Sequence, residues 1–309
     1  MIAARRWRYL LPALAVVSLV IVTWVQPRFL SGENLGNVAR QSVPLAIFAL
    51  AQMLPLLTRG LDLSQGGIVV AASVTFANVA HSTGTPAGVL AALTVGLAAG
   101  TTNGLVIAGF EVSPFVVTLA TGSVLQGLAL IGANGQPISD VPASVGALFY
   151  TELLGVPVPV LVLVLLFALQ WFGLERLRAG RYVYAVGSND RAAYLAGVPV
   201  RATLVLAYSA SGLWTSVGSI LLSSRIASGH PTAGSDTALQ AVAASVIGGV
   251  SLLGGRGTAG GVLLGAAFLG LLSNALNLLN VSSFVQYVAI GGAIVVAAVA
   301  DRIRSRTQL

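Results

Sequence analysis

Long runs of apolar residues, separated by short polar connections, organise this chain from end to end. At a rise of ~1.5 Å per residue, about twenty apolar residues cross the ~30 Å hydrocarbon core of a bilayer. That ruler divides the sequence into about ten transmembrane helices. The predicted spans are Tyr9–Val25, Val43–Thr58, Ser64–Ala80, Ala87–Phe110, Pro114–Ala133, Val158–Leu174, Thr203–Ser223, Ala238–Val250, Gly260–Leu279 and Ser283–Ala300. The expected fold class is therefore all-α, a single polytopic membrane domain over residues 1–309. Two connections are longer than the rest: an outer one over 135–156 and an inner one over 175–200.

Composition supports the bilayer as solvent. Hydrophobic residues make up 56% of the chain and charged residues 8%, whereas an average soluble domain carries roughly 25% charged residues. The net charge of +7 comes from sixteen Arg and no Lys. With the N-terminus assigned to the cytoplasm, thirteen Arg fall inside and only Arg28, Arg40 and Arg225 outside. Arg retained in short inner loops sets topology, so both termini are expected in the cytoplasm and the charge needs no nucleic-acid partner. The N-terminal Arg5, Arg6 and Arg8 followed by an apolar run resemble a secretory signal, but no small-x-small cleavage site follows. An uncleaved first helix is expected.

Within the spans, Gly96, Gly100 and Gly104 recur every four residues, as do Gly261 and Gly265. This spacing makes a smooth helix face on which a second backbone can approach. The triple repeat reads as tight helix packing, and the pair could also reflect the general frequency of Gly in membrane helices. Asn274, Asn277 and Asn280 lie three apart near the outer end of the ninth span, so they are expected on one helical stripe. With Asn103, Thr118 and Gln126 they could line a polar path for a hydroxyl-rich cargo. The plainer alternative is interhelical hydrogen bonding, worth ~0.6 kcal/mol per contact. Two groups of four spans flank the sixth in opposite orientations, as inverted repeats require, without evident sequence similarity.

Several chemistries are excluded or weakened. The chain has no Cys and two His, His81 and His230, so thiolate metal sites and cysteine nucleophiles are absent, and no metal site is expected. Ionisable residues avoid the span centres, where each would cost about 2.5–3.5 kcal/mol, which argues against an ion-coupled carrier. Asp62, just before Ser64, reads as a helix N-cap rather than a proton carrier. Gly255, Gly257 and Gly260 match G-x-G-x-x-G by accident, since that fingerprint needs a strand before it and a βαβ unit around it. A P-loop needs a Lys, and there is none. If ATP drives transport, ATP and Mg belong to another polypeptide, and this chain binds no cofactor.

The inner connection is the most informative segment. Asn189 or Asp190 could cap a short helix from Arg191 to Leu195, which Gly197 and Pro199 terminate. Arg181 and Arg191 would face the cytosol. Such a helix, held by two spans, could transmit a partner's movement, although positive-inside loops contain Arg for topology alone.

At this segment the chain resembles the membrane permeases of ribose-type ABC sugar importers. The resemblance rests on Gly180-Arg181, Tyr184-Ala185-Val186-Gly187-Ser188-Asn189, Ala192-Ala193 and Gly197-Val198. Three more segments carry it: Arg59-Gly60-Leu61-Asp62-Leu63-Ser64, Ser113-Pro114-Phe115-Val116-Val117-Thr118-Leu119, and Val246 to Gly257 followed by Asn274 to Leu279. It implies the ABC importer permease fold, a homo- or heteromeric permease dimer, and a cytoplasmic, tandem-domain ABC ATPase. It also implies a periplasmic or lipid-anchored sugar-binding protein and alternating access in the bacterial inner membrane. Gly180, Arg181, Tyr184, Gly187, Asn189, Arg191, Ala192, Ala193 and Gly197 would then form the ATPase-coupling region. The chain departs from the family pattern at Gln65, often Val, at Ala120, often Gly, and at Gln126, often Arg. It also departs over Asp236 to Ala241, where an acidic Glu-Leu-Asp-Ala-Ile pattern is usual. These departures bear on cargo and binding-protein contact. A permease for nucleosides or branched-chain amino acids is the related alternative, a membrane enzyme lacks a converging acid, base or metal constellation, and a passive channel would need no coupling segment.

Overall fold

The computed structural model describes residues 26–234 and 236–282, with isolated positions 285, 288, 291, 292 and 295. The first predicted span lies outside the described residues, as does the tenth apart from those positions. After a 3₁₀ turn at Pro27–Leu30, the described helices are α1 (Gly32–Leu57), α2 (Gln65–Thr83), α3 (Thr85–Phe110), α4 (Pro114–Gly132), α5 (Ala143–Tyr150), α6 (Val158–Arg176), α7 (Arg178–Ser188), α8 (Asp190–Leu195), α9 (Val200–Ile226), α10 (Thr237–Ile247) and α11 (Ala259–Leu278). A two-residue antiparallel pair, β1 (Glu152–Leu153) with β2 (Val156–Pro157), follows α5.

Six of these helices, α1, α3, α4, α6, α9 and α11, are long and apolar enough to cross a membrane. Six is fewer than the predicted ten, for two reasons besides the two spans that are not described. The third predicted span is a helix, α2, but Gln65, Asn78 and His81 dilute its apolar character. The eighth is only eleven residues long as a helix, and at ~1.5 Å per residue that covers about half the hydrocarbon core. The stretch before it, from Ser228, is irregular and lies along α2: a Cβ on Gly229 would fall 2.4 Å from Ala77 Cβ, and one on Gly234 2.8 Å from Val69 Cγ1. The eighth predicted crossing is thus broken into a short helix and an irregular stretch packed against α2. The inner connection is also more ordered than predicted, because an eleven-residue helix, α7, precedes the expected short one. Its Gly180, Val183, Val186 and Gly187 are buried, an amphipathic pattern that a search for uniformly apolar runs does not register.

α1 is the central post. Ala46 to Leu57 are all buried, and Leu50, Met53 and Leu57 pack in the largest core cluster with residues of α6, α7, α9, α10 and α11. Neighbouring side chains donate to its mid-helix carbonyls: Gln65 Nε2 to Phe48 O at 3.2 Å, Ser245 Oγ to Ala49 O at 3.0 Å and Gln170 Nε2 to Leu50 O at 3.0 Å. Gln170 also accepts from Trp214 Nε1 at 2.9 Å. Where apolar side chains gain little by leaving lipid for protein, such bonds and close packing hold helices together.

The glycine repeats lie where backbones meet. A Cβ at Gly96 would sit 2.3 Å from Gly212 O, one at Gly100 2.2 Å from Tyr208 O, and one at Gly104 2.6 Å from Val205 Cα, all on α9. Gly261 and Gly265 face Gly248 O and Ala244 O at 2.2 and 2.0 Å in the same sense. Gly109, on the same helix as the triple repeat, has open space instead. We predict that Gly100→Ala lowers stability by about 1–3 kcal/mol through overpacking, whereas Gly109→Ala is neutral or gains roughly 0.5–1 kcal/mol from helix propensity. Thermal melting of the two variants in detergent reads the difference.

Candidate functional site: a buried turn and the helices it anchors

Between α1 and α2 the chain leaves the helix for seven residues, Thr58 to Ser64, while Asp62 and Ser64 are completely buried. Arg59 takes a left-handed conformation, φ 63°, and Gly60 passes so close to α9 that a Cβ there would lie 2.0 Å from Tyr208 Oη. Backbone polar groups at this depth cannot turn to water, so they need partners within the protein. Thr118 of α4 supplies two, accepting from Leu63 N at 3.1 Å and donating to Leu61 O at 3.0 Å. The Gln52 amide, oriented by its partners, accepts from Asp62 N at 3.2 Å and donates to Asp62 O at 3.0 Å.

The Asp62 carboxylate is held without a cation. Oδ1 accepts from Ser64 N at 3.0 Å and Ser64 Oγ at 2.5 Å, and Oδ2 accepts from Ser211 Oγ of α9 at 2.9 Å. Asn103 of α3 donates to Ser64 Oγ at 2.9 Å and accepts from Thr121 Oγ1 of α4 at 2.7 Å. Asp62 is therefore not the N-cap expected from its place in the sequence, since Ser64 holds that position; instead its side chain and its neighbours join α1, α2, α3, α4 and α9.

The same turn receives the inner segment. Arg59 donates through Nε to Leu253 O at 3.1 Å and through its guanidinium to Ser188 O. Gly255 N donates to Leu57 O at 2.9 Å, and Gly187 presses so closely on Leu57 O that a Cβ there would lie 1.6 Å from it. Tyr184 Oη donates to Gly257 O at 2.8 Å. Burial, and secondarily the nearby Glu175 carboxylate, push the Tyr184 hydroxyl above its ordinary pKa, which keeps it a donor. Gly254 and Gly255 adopt positive φ, 79° and 68°, as does Gly257 at 154°, so two of the three glycines of the accidental dinucleotide-like pattern, Gly255 and Gly257, serve a sharp turn that grips α7, while Gly260 lies within α11. Gly180 makes the tight corner from α6, where a Cβ would stand 2.2 Å from Leu174 O.

α8 then projects from this joint. Asn189, rather than Asp190, caps it, with Oδ1 accepting from Ala192 N at 2.9 Å. Gly197 at φ 80° ends it. Ala193 is buried, while Arg181, Arg191 and Ala192 are exposed. Sequence reasoning passed over Tyr194 and Leu195, which are 71% and 79% exposed on this six-residue helix. A signal was available, since two large apolar residues stood in a segment too short to bury them. They border a groove of about 1130 Å³ that α8 forms with the end of α3 and the start of α9, lined among others by Ile107, Glu111, Arg191, Arg201 and Leu204.

The six residues assigned to a polar path fall in different places. Asn103 and Thr118 are fully buried in the lattice around Asp62, and Gln126 Nε2 donates to Pro231 O at 2.6 Å on the broken crossing. Asn274 and Asn277 do share a face, lining a cavity of about 280 Å³ at the opposite end of the bundle from α8, with Gln41, Ser42, Phe48, Arg225, Thr237, Gln240 and Ser273. Asn274 is also paired amide to amide with Asn34, at 2.9 and 3.0 Å. Asn280 is not on that stripe, because α11 ends at Leu278 and Asn280 takes φ 55°, the left-handed conformation that Asn tolerates after a helix.

Replacing Asp62 by Asn turns one accepting oxygen into a donor facing donors. A loss of about 1–3 kcal/mol is expected, larger than for exposed Asp190→Asn, and thermal melting of the two purified variants tests it.

The sequence matches the family described as branched-chain amino acid transport system / permease component over residues 34–299. It is 38% identical to the ribose import permease protein of Bacillus subtilis, covering 94% of this chain and 91% of that one. The ribose import permease protein of Haemophilus influenzae is 35% identical, over 93% and 90% of the two chains. The L-arabinose transport system permease protein of Escherichia coli is 34% identical, over 91% and 86%. No solved structure matches the chain. With four motif segments meeting at one buried turn and this similarity over nearly its whole length, the chain belongs to the branched-chain amino acid transport system / permease component family.

Proposed function

We propose that this chain is the membrane-spanning permease subunit of an ATP-driven ABC importer for a small sugar of the pentose or hexose class. The observation that carries the reading is the similarity to permeases named for ribose and L-arabinose over more than nine-tenths of the chain. The cavity at the end opposite α8 supports it, because its amides and hydroxyls, from Gln41, Ser42, Thr237, Gln240, Ser273, Asn274 and Asn277, suit a polyol. A permease for branched-chain amino acids is the second reading, favoured by the family's own description. Val38, Pro44, Leu45, Phe48 and Leu222 also line the cavity and would accept an aliphatic side chain, so the names of the relatives rather than the lining favour sugar.

In the proposed cycle a binding protein delivers the cargo at the cavity end, and a separate ATPase, with ATP and Mg, docks at α8. Arg191, Tyr194 and Leu195 would meet the ATPase. The rigid joint of Gly180, Tyr184 and Gly187 with the Arg59–Ser64 turn would transmit its closure to α1, α2, α3, α4 and α9. Two permeases, identical or paralogous, would enclose the pathway, and the bundle would alternate between outward and inward openings. The arginine-rich end, with Arg59, Arg176, Arg178, Arg181, Arg191, Arg201 and Arg256, would be cytoplasmic. The cargo is moved without covalent change.

Arg191→Ala and Gly197→Asn test the coupling role, since both positions are exposed, no neighbour lies where a side chain at Gly197 would go, and Asn tolerates its left-handed φ of 80°. Each should lower ATP-driven uptake by about tenfold with unchanged membrane abundance. Unchanged uptake with normal ATPase stimulation in both variants would contradict the assignment.

A further inference from the structure

We propose that the cargo carries a negative charge: the cavity takes an acidic sugar through its carboxylate, and Arg225 is the residue that selects it. The inference rests on the sugar-permease reading and refines it.

Among the described residues, Arg225, in the last turn of α9, contributes the only charged side chain to the cavity lining, beside seven neutral polar residues, and no carboxylate lines the space. Among the described residues, the ion pairs are Arg40 with Glu152 and His81 with Asp140. Arg225 has no acidic partner within ion-pair distance. Glu152 is engaged by Arg40 at 2.7 Å. Asp236, which precedes α10, is not part of the lining and makes no ion pair with Arg225. Gln240, on the first turns of α10, faces the cavity with a neutral amide.

A guanidinium in a confined, partly desolvated cavity gains most from a planar anion that it can hold through two parallel N–H bonds. A neutral polyol would leave that charge uncompensated when the cavity closes over it, at a cost in affinity. The surrounding amides and hydroxyls then read the remaining hydroxyls of the cargo. About 280 Å³ approaches the lower end of the range for small-molecule sites, which suits a monosaccharide acid.

The test uses the complete importer, permease with its ATPase and binding protein, reconstituted in liposomes. Uptake is compared for sugar acids, sugar phosphates and neutral aldoses of equal carbon number. The acids should be imported at least about tenfold better than the aldoses. Arg225→Gln should remove that preference, and Gln240→Asp, which places a fixed carboxylate in the cavity, should shift it toward neutral sugar. Preference for sugar phosphates with the same response to Arg225→Gln would overturn the carboxylate and retain the anion site. Preference for neutral aldoses, with Arg225→Gln lowering all uptake alike, would overturn the proposal while leaving the sugar-permease reading intact. ATP-dependent uptake of branched-chain amino acids, with none of any sugar, would overturn both.

Discussion

The fold depends on satisfying a stretch of non-helical backbone deep inside a helix bundle. Residues Thr58 to Ser64 have left the helix, and Asp62 and Ser64 are sealed from solvent, so their polar groups need partners within the protein. Thr118, Ser211 and Asn103 reach the turn from three other helices and Gln52 from α1, while Arg59 ties the turn outward to Leu253 and Ser188. Each bond is modest alone, at about 0.5–1.5 kcal/mol net. Leaving any of the buried groups unpaired costs more, and that asymmetry fixes how α1, α2, α3, α4 and α9 sit around the turn.

Close backbone contact does the remaining work. The Gly96, Gly100 and Gly104 face lets α3 meet α9, and Gly187 lets α7 rest on the end of α1. The turn and these seams tie the arginine-rich end together, while α8 stands out from it with Tyr194 and Leu195 uncovered. The other end holds the irregular stretch before α10, a polar cavity and the amide pair of Asn34 with Asn274. In the proposed cycle the tied joint receives force, and the cavity end opens to cargo.

Much of this was legible in the sequence, and the reasons for the remainder are physical. Uniformly apolar runs mark α3, α4, α6, α9 and α11 within a few residues of their ends, because hydrocarbon demands length and composition together. The four-residue glycine spacing announced a close helix face. Four motif segments could be quoted from the sequence, but their meeting at one turn could not, since Ser64 and Asn103 or Asp62 and Ser211 are joined only by the fold. α7 escaped notice because it is amphipathic, and the eighth predicted span, Ala238–Val250, proved an eleven-residue helix whose irregular approach no apolar run marks. Asn103 and Thr118 looked like pathway residues because a polar side chain in a span has the same composition whether it faces cargo or a buried backbone.

Amide hydrogen exchange across residues 58–64, measured on the purified protein in lipid, tests the central claim most directly. If side chains seal the turn, its Asp62, Leu63 and Ser64 amides exchange as slowly as the helical core of α1, despite lacking helical bonds. Exchange as fast as in the exposed connection after α4 would mean that the turn is open, and the account of the joint would be wrong.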